Sequence, residues 1–299
     1  MLVTGVSAGL GVETARALGA RGADVVGTAR DMEKARAATA PIMGDITKGG
    51  GSLEIVELDL ASLKSVRTGA DKINAMGKSF DLVIANAGLM DPGPLQRTED
   101  GFERQFGTNH VGHFLLVNRI TKLIRPGGRV VVLASSAHHA SDVDVDDPNF
   151  ERRDYGTYSG YGQSKTANIQ FVVEFDKRHR AEGIRAVAVH PGGVATELGR
   201  HSDAKARLAS ISKMNEARAA KGLPPFTVKN VQQGAATTVW AAVVAPADDV
   251  GGRYCEDCHV GDVVSEGDAL GPGVRNYALD PAKAAALWAK SEELVGEKF

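Results

Sequence analysis

Short runs of β-branched and aliphatic residues alternate along the chain with longer, alanine-rich stretches of helical period. This alternation is what most limits the available folds. Strands are expected at Leu2 to Thr4, Ala23 to Thr28, Leu53 to Leu58, Leu82 to Ala85, Arg129 to Ala134 and Arg185 to His190. Helices are expected between them, at Gly11 to Arg21, Asp31 to Ala40, Leu63 to Met76, Phe102 to Leu123 and Tyr161 to Arg180. Strand, helix, strand in repetition predicts a parallel sheet wound on both faces by helices. The strand segments are apolar throughout and do not alternate strictly, as burial on two sides requires. No repeat of solenoid period and no low-complexity linker interrupts the pattern. The 299 residues are therefore read as one α/β domain, 1–299.

Beyond His190 the rhythm changes. Ala204 to Lys221 carries Leu208, Ile211 and Met214 at helical spacing among basic residues, and 196–227 is read as a segment lying over a substrate pocket. Its basic face is better explained as a solvated helix surface than as a lure for acidic substrates. A further helix is expected from Val228 to Val244, and a short strand from Gly252 to Cys255. The terminal helix runs from Pro281 to Leu294, with Asp280 as its cap and Pro281 at its first position.

Composition narrows the function classes. Thirty-five basic against 37 acidic residues give a net charge of -2, with no basic field to drive binding to nucleic acid. At 43% hydrophobic and 24% charged the chain is too apolar to be disordered. Two cysteines make no disulfide framework and suit a reducing compartment. No basic leader or cleavage site precedes the first strand, and the longest uncharged run, Asn230 to Ala247, is too polar for a bilayer span. A cytoplasmic protein is expected.

Thr4-Gly5-Val6-Ser7-Ala8-Gly9-Leu10-Gly11 follows the first strand and opens the first helix. Glycines there let the backbone turn sharply and come close to a pyrophosphate seated on the free N–H groups of the helix. A glycine triplet alone is a weak signal. Within a strand–turn–helix it favours dinucleotide binding over a merely tight turn.

The TGxxxGxG spacing resembles the short-chain dehydrogenase/reductase family, and the rest of that family's pattern follows in order. Asp59 stands near the end of the third strand, Asn86-Ala87-Gly88 follows the fourth, and Asn109 lies on the next helix. Ser135-Ser136 closes the fifth strand, Tyr161-Gly162-Gln163-Ser164-Lys165 supplies YxxxK, and Pro191-Gly192-Gly193 and Thr196 follow the sixth. Gly27-Thr28-Ala29-Arg30-Asp31, Asn149-Phe150-Glu151 and Thr166-Ala167-Asn168 are similar to the retinol-dehydrogenase and WW-domain-oxidoreductase-like branch. Met1 sits almost at the first strand, where family members carry a few more residues.

The resemblance implies a doubly wound, Rossmann-type sheet and a nicotinamide dinucleotide. Its contacts would come from Gly5, Ser7, Gly9, Leu10, Gly11, Arg30, Asp59, Leu60, Asn86, Ala87, Gly88, Tyr161, Lys165, Pro191, Gly192, Val194 and Thr196. Asp59 would touch adenine and Lys165 the nicotinamide ribose. The family's serine is usually the second of its pair, which selects Ser136 to hold the substrate oxygen and leaves Ser135 as a strand-end residue. Asn109 would link Lys165 to solvent through water. A homodimer or homotetramer would form through the helices 102–123 and 161–180.

Physical chemistry supports the same centre. Tyr161 and Lys165 are four apart and so share a helix face. Tyrosine titrates near ~10 in water, and a neighbouring ammonium favours its phenolate, which would make it a usable acid or base. Arg30 follows the second strand where an acidic residue would select NAD. Its planar fork suits a 2′-phosphate, so NADP is expected over NAD, with Asp31 capping the next helix. The substrate is read as a small-molecule alcohol or carbonyl compound, apolar by analogy to a retinoid, steroid or aromatic ketone.

Other signals point elsewhere and are set aside. Cys255-Glu256-Asp257-Cys258-His259 has the haem-attachment spacing, but ordinary thiols explain it more simply and no metal is expected. Asp142, Asp144 and Asp146 begin like a calcium loop, yet Asp147 and Arg153 replace its glycine and glutamate. His138 and His139 are assigned to a loop. A silent nucleotide-binding regulator would be expected to lack Tyr161 or Lys165, and a nucleotide-sugar epimerase carries a different glycine spacing. An NAD-dependent alcohol dehydrogenase of the same family is the nearest alternative.

Overall fold

A computed structural model describes all residues except 92, 196–203, 223 and 266–271. The first half runs β1 (Leu2–Thr4), α1 (Gly9–Gly19), β2 (Asp24–Ala29), α2 (Met32–Thr39), α3 (Met43–Lys48), β3 (Ser52–Glu57), α4 (Leu63–Ala75) and β4 (Phe80–Ala85). The middle runs α5 (Arg104–Phe106), a π-helical turn (Gly107–Val111), α6 (Gly112–Ile120), β5 (Ile124–Leu133), α7 (Thr157–His179) and β6 (Arg185–His190). The remainder comprises α8 (Ala204–Ala219), α9 (Val231–Val239), α10 (Ala247–Val250), β7 (Arg253–Glu256), β8 (His259–Val260), β9 (Val263–Val264), β10 (Val274–Arg275) and α11 (Pro281–Val295).

Eight strands form one sheet in the order β3-β2-β1-β4-β5-β6-β7-β8. Every pairing is parallel except β7 with β8. The order reverses between β1 and β4, and in such sheets the crevice at the carboxyl ends beside that reversal is where a ligand lies. Neighbouring strand residues bury to opposite faces. Leu2, Val83, Val130 and Val132 join one apolar cluster, while Val3, Ile84 and Val131 join the other.

Helix starts follow local chemistry. Asp31 accepts from the Lys34 N–H at 2.9 Å and caps α2, and Asp280 accepts from Ala282 and Lys283 to cap α11. Glu103, fully buried, accepts from the N–H groups of Gln105 and Phe106 at 3.0 and 2.6 Å.

One expectation is corrected here: β5 begins at Ile124 rather than Arg129. The expected helix in 102–123 is continuous from α5 through the π turn into α6. Along α7, residues 160–172 are all buried, and α11 of the same chain lies against them. Trp288 stacks on Phe171 at 5.8 Å between ring centres and meets Phe114 edge-on at 5.0 Å. α11 thus packs against α7 through an aromatic cluster.

Candidate active site

The turn after β1 is shaped by glycine. Gly5 and Gly9 hold φ of +77° and +59°, a region that side chains disfavour. A Cβ on Gly11 would lie 2.2 Å from the Gly5 carbonyl oxygen and 2.6 Å from Asn86 Nδ2. No side chain caps α1 and no acidic residue stands in its first turn. Its N–H groups face the crevice as an anion seat, with Ser7 half-buried in the turn. The cradle therefore fits a pyrophosphate.

Thr4 ties this turn to the loop after β4. Its hydroxyl accepts from the N–H groups of Asn86 and Ala87, both at 2.9 Å, and Asn86 Nδ2 donates to the Thr4 carbonyl at 2.8 Å. The third neighbour of that hydroxyl is His113 Nε2 at 2.8 Å, and His113 Nδ1 lies 2.9 Å from the Asn109 carbonyl. A carbonyl only accepts, so Nδ1 carries the proton and Nε2 accepts from Thr4. Burial holds this imidazole neutral, its pKa lowered to about 4.

Asn109 lies in the π turn, where the extra residue changes which carbonyls and side chains face the crevice. Its side chain accepts from Leu89 N at 2.8 Å and donates to Leu89 O and to Ser164 Oγ, both at 3.0 Å. A Cβ on Gly88 would sit 3.2 Å from Asn109 Oδ1 and 3.4 Å from Lys165 Nζ. Asn86-Ala87-Gly88, Asn109 and Lys165 thus converge on one spot.

α7 delivers Tyr161 and Lys165 from the other side. Lys165 Nζ donates to the Leu133 carbonyl at 2.9 Å and lies 5.6 Å from the centre of the Tyr161 ring. Burial pushes Tyr161 up to about 12, opposed by a hydrogen bond from Ser135, and burial pulls Lys165 down to about 8. The expected lowering of Tyr161 by the ammonium is not what the structure shows. Burial dominates, and the ammonium is engaged with Leu133.

Both serines of the pair stand just past the end of β5. The Ser135 hydroxyl accepts from Ala137 N at 3.1 Å and caps the 3-10 turn that follows. Ser136 is exposed, and its N–H donates to His190 Nδ1 at 3.3 Å. The chain then turns into a 3-10 helix at Ser136–Ala140.

The remaining residues fall along the same edge. Val194 pairs with Lys229, whose Nζ reaches the Pro191 carbonyl at 3.3 Å beside Gly192. Leu10 and Val194 both pack on Gly234 of α9, at 2.8 and 2.6 Å from where its Cβ would be. Asp59 Oδ1 accepts from Ala61 N at 2.9 Å, and Leu60 is buried with its carbonyl against Gly112. Arg30 is exposed at the end of β2 with no hydrogen bond or ion pair to the described residues. Thr196 lies outside the described residues. His113 and His138 belong to the site's framework although sequence spacing gave no reason to choose them.

The signals set aside have plain structural settings. Asp257 and Cys258, with φ of +45° and +59°, form the turn between β7 and β8. Cys255 is buried and Cys258 exposed, both as free thiols. Asp144 accepts from the N–H groups of Asp146 and Asp147, both at 3.0 Å. No group of three metal-ligating side chains occurs among the described residues.

A doubly wound sheet with a glycine turn and a buried tyrosine–lysine pair at its switch point defines a nucleotide-dependent oxidoreductase. Residues 1–207 match the short chain dehydrogenase family model, and the chain belongs to that family. It is 37% identical over 300 residues to human retinol dehydrogenase 13, covering 99% of this chain and 84% of that protein. A crystal structure of an uncharacterized protein from Mycobacterium paratuberculosis superposes with a TM-score of 0.73 at 33% identity, covering 100% of this chain and 93% of that one. A short chain dehydrogenase from Burkholderia cenocepacia in complex with NADP superposes with a TM-score of 0.66 at 25% identity, covering 85% and 94%. No helix among the described residues is long and apolar enough to cross a membrane.

Proposed function

We propose that this dehydrogenase is NADP-dependent and interconverts an apolar carbonyl compound and its alcohol, with Tyr161 as the acid and base. The observation that carries this reading is the buried pair Tyr161 and Lys165, 5.6 Å apart, meeting Gly88 and Asn109 at the corner beside the glycine turn. When bound, the nicotinamide would donate hydride to the carbonyl carbon, or take it back in the reverse direction. Tyr161 Oη gives the substrate oxygen its proton in reduction and removes it in oxidation, which balances the transfer. Burial raises its pKa to about 12, so Tyr161 carries its proton at neutral pH. A serine hydroxyl donates to the substrate oxygen as charge builds on it. Lys165 holds the ribose hydroxyls, and Asn109, which shares the Gly88 corner with it, passes replacement protons from solvent through water.

Gly5, Ser7, Gly9, Leu10 and Gly11 would hold the pyrophosphate, Asp59 and Leu60 the adenine, and 86–88 with Pro191, Gly192, Val194 and Thr196 the nicotinamide end. Arg30 favours the 2′-phosphate because it is exposed and uncommitted at the end of β2, while Asp31 is spent capping α2. The NADP in the Burkholderia relative and the name of the retinol dehydrogenase support the cofactor and an apolar substrate. The segment 196–227, which includes α8, would cover that substrate. The reading also takes the enzyme to be cytoplasmic, in keeping with its free thiols.

The test follows NADPH absorbance across a panel of aromatic and aliphatic ketones. Tyr161→Phe should lower turnover about 10²–10⁴-fold while still binding cofactor. Arg30→Ala should raise the KM for NADPH and leave that for NADH unchanged. A Tyr161→Phe variant with more than half the wild-type rate would overturn the mechanism, and a preference for NADH would overturn the cofactor.

A further inference from the structure

The ladder between β5 and β6 stops at the edge of the crevice. In a parallel pair the residues that face the partner strand alternate, so rungs recur at every second residue. Leu133 pairs with Val189, and the Ala134 N–H donates to the Val189 carbonyl at 2.8 Å. The next rungs would run from Pro191 N to the Ala134 carbonyl and from Ser136 N to the Pro191 carbonyl. Proline has no N–H to give, and Gly192, at φ of +86°, turns the chain away.

Two side chains take the places of the Ser136–Pro191 rung. The Ser136 N–H donates to His190 Nδ1 at 3.3 Å. The Pro191 carbonyl accepts from Lys229 Nζ at 3.3 Å, and the end of that lysine lies along Gly192, where a Cβ would be 2.8–3.0 Å from Nζ, Cε and Cδ. Lys229 is paired in turn with Asp257, in the turn between β7 and β8. The two groups that one rung would have joined are thus satisfied separately, and the strand ends part where the serine turn and the loop 191–193 begin.

An N–H needs a lone pair, so Nδ1 of His190 is unprotonated and the ring proton sits on Nε2. The imidazole lies nearly parallel to the buried ring of Tyr254, 15° off and 6.5 Å between centres. Its backbone stands in register with Glu256 of β7. The acceptor is therefore built into the sheet, while Ser136 has already left it. The Ser135 hydroxyl and carbonyl, which accept from Ala137 N and His138 N, both at 3.1 Å, shape the serine turn itself. The bond from Ser136 to His190 ties that turn to β6.

We propose that His190 is a positioning residue, whose Nδ1 stands in for the missing rung and fixes the Ser136 backbone relative to the loop 191–193. This role rests on the reading of Ser136 as the holder of the substrate oxygen and of that loop as the seat of the nicotinamide. A serine side chain is short, so its hydroxyl goes where its backbone goes. His190 immediately precedes Pro191, and one side chain therefore sets the spacing between the group that meets the substrate and the loop that meets the cofactor. Misplacement of a reacting group by about 1 Å can cost 10²-fold in rate, so the restraint should be read in kcat.

The experiment compares His190→Phe, His190→Asn and His190→Ala in the full chain, measuring kcat with one accepted ketone, the KM for NADPH and the melting temperature. Phenylalanine keeps a ring against Tyr254 and removes the acceptor. Asparagine loses the ring and can place Oδ1 where Nδ1 was. His190→Phe should lose about tenfold in kcat with KM for NADPH within about twofold, and asparagine should recover most of that loss. Alanine should match phenylalanine and gives the same contrast with asparagine if the phenylalanine variant does not fold. Full rate without the acceptor, better rescue by phenylalanine than by asparagine, or parallel losses in kcat, cofactor KM and melting temperature would each overturn the proposal. Ser136→Ala keeps the two readings apart. If it retains full activity, the serine assignment fails; if it loses activity and His190→Phe does not, only the positioning role fails. Added to Ser136→Ala, His190→Phe should cost less than about twofold more, and a full tenfold loss there would show that the ring acts elsewhere.

Discussion

Lys165 Nζ and Asn168 Nδ2 donate to the same acceptor, the carbonyl oxygen of Leu133, at 2.9 and 3.0 Å. The two donors sit on adjacent faces of α7, less than one turn apart. A lysine meant for a ribose must be able to leave its resting partner. With Asn168 in place, its departure strands no buried carbonyl.

Asn168→Leu should therefore weaken cofactor binding without touching any group that contacts it. A buried carbonyl left unpaired costs about 1–3 kcal/mol, and in the variant that cost falls on the state in which Lys165 has moved. Calorimetric titration with NADPH should show the loss, and Lys165→Met should make it vanish. An Asn168→Leu variant with wild-type affinity would show that the lysine does not use Leu133 as a resting place.

The serine pair can be separated by two alanine substitutions. Ser136→Ala should cost about 10²–10³-fold in kcat if its hydroxyl holds the substrate oxygen, and Ser135→Ala, which removes the cap of the 3-10 turn, should act on stability more than on rate. The reverse order would move the role to Ser135.

Acid should destabilise the fold before carboxylates alone would. His110, His113 and His138 are buried and neutral, with pKa values lowered from 6.5 to about 3, 4 and 3, chiefly by burial. Between the ordinary value and those lowered ones the unfolded chain binds protons that the folded protein refuses, so stability rises with pH there and falls as pH drops. Each imidazole withdraws about 1.4 kcal/mol per pH unit inside that window. Urea unfolding at a series of pH values should show this slope beginning near 6.5. A flat profile down to about pH 5 would contradict it.

Light scattering should return the mass of a single chain. α7 has no free face over residues 160–172, and α11 lies where a partner's helices would otherwise sit. A dimer that persists on dilution would place the interface elsewhere. A dimer lost together with α11 substitutions such as Trp288→Ala would instead mean that α11 itself is exchanged between chains.

The strands were legible because six β-branched runs admit little besides buried parallel strands, and five of those strands lie within about two residues of their expected ends. β5 was the exception. Pro126, Gly127 and Gly128 hide its first half, and its register against β4 shifts between Phe80 and Leu82. Tyr161, Lys165 and Asn109 could be picked out by local spacing and family pattern. The contacts that hold them could not. Thr4 meets His113 across 109 positions and His138 meets Arg275 across 137, and neither pair leaves a period or a spacing to find.

The π turn at Gly107–Val111 gives the gene an unusual sensitivity at that point. A π turn holds one more residue than the α-helical turn it replaces, so a single in-frame codon deletion there would produce a more regular helix. Regularity would be harmful. Each residue advances a helix by about 100°, so losing one would swing either Phe106 out of the core or Asn109 away from Leu89 and Ser164. Substitutions in this stretch can be graded, but changes in its length cannot. Among descendants of this gene, insertions and deletions should collect in the surface loops and avoid these five codons.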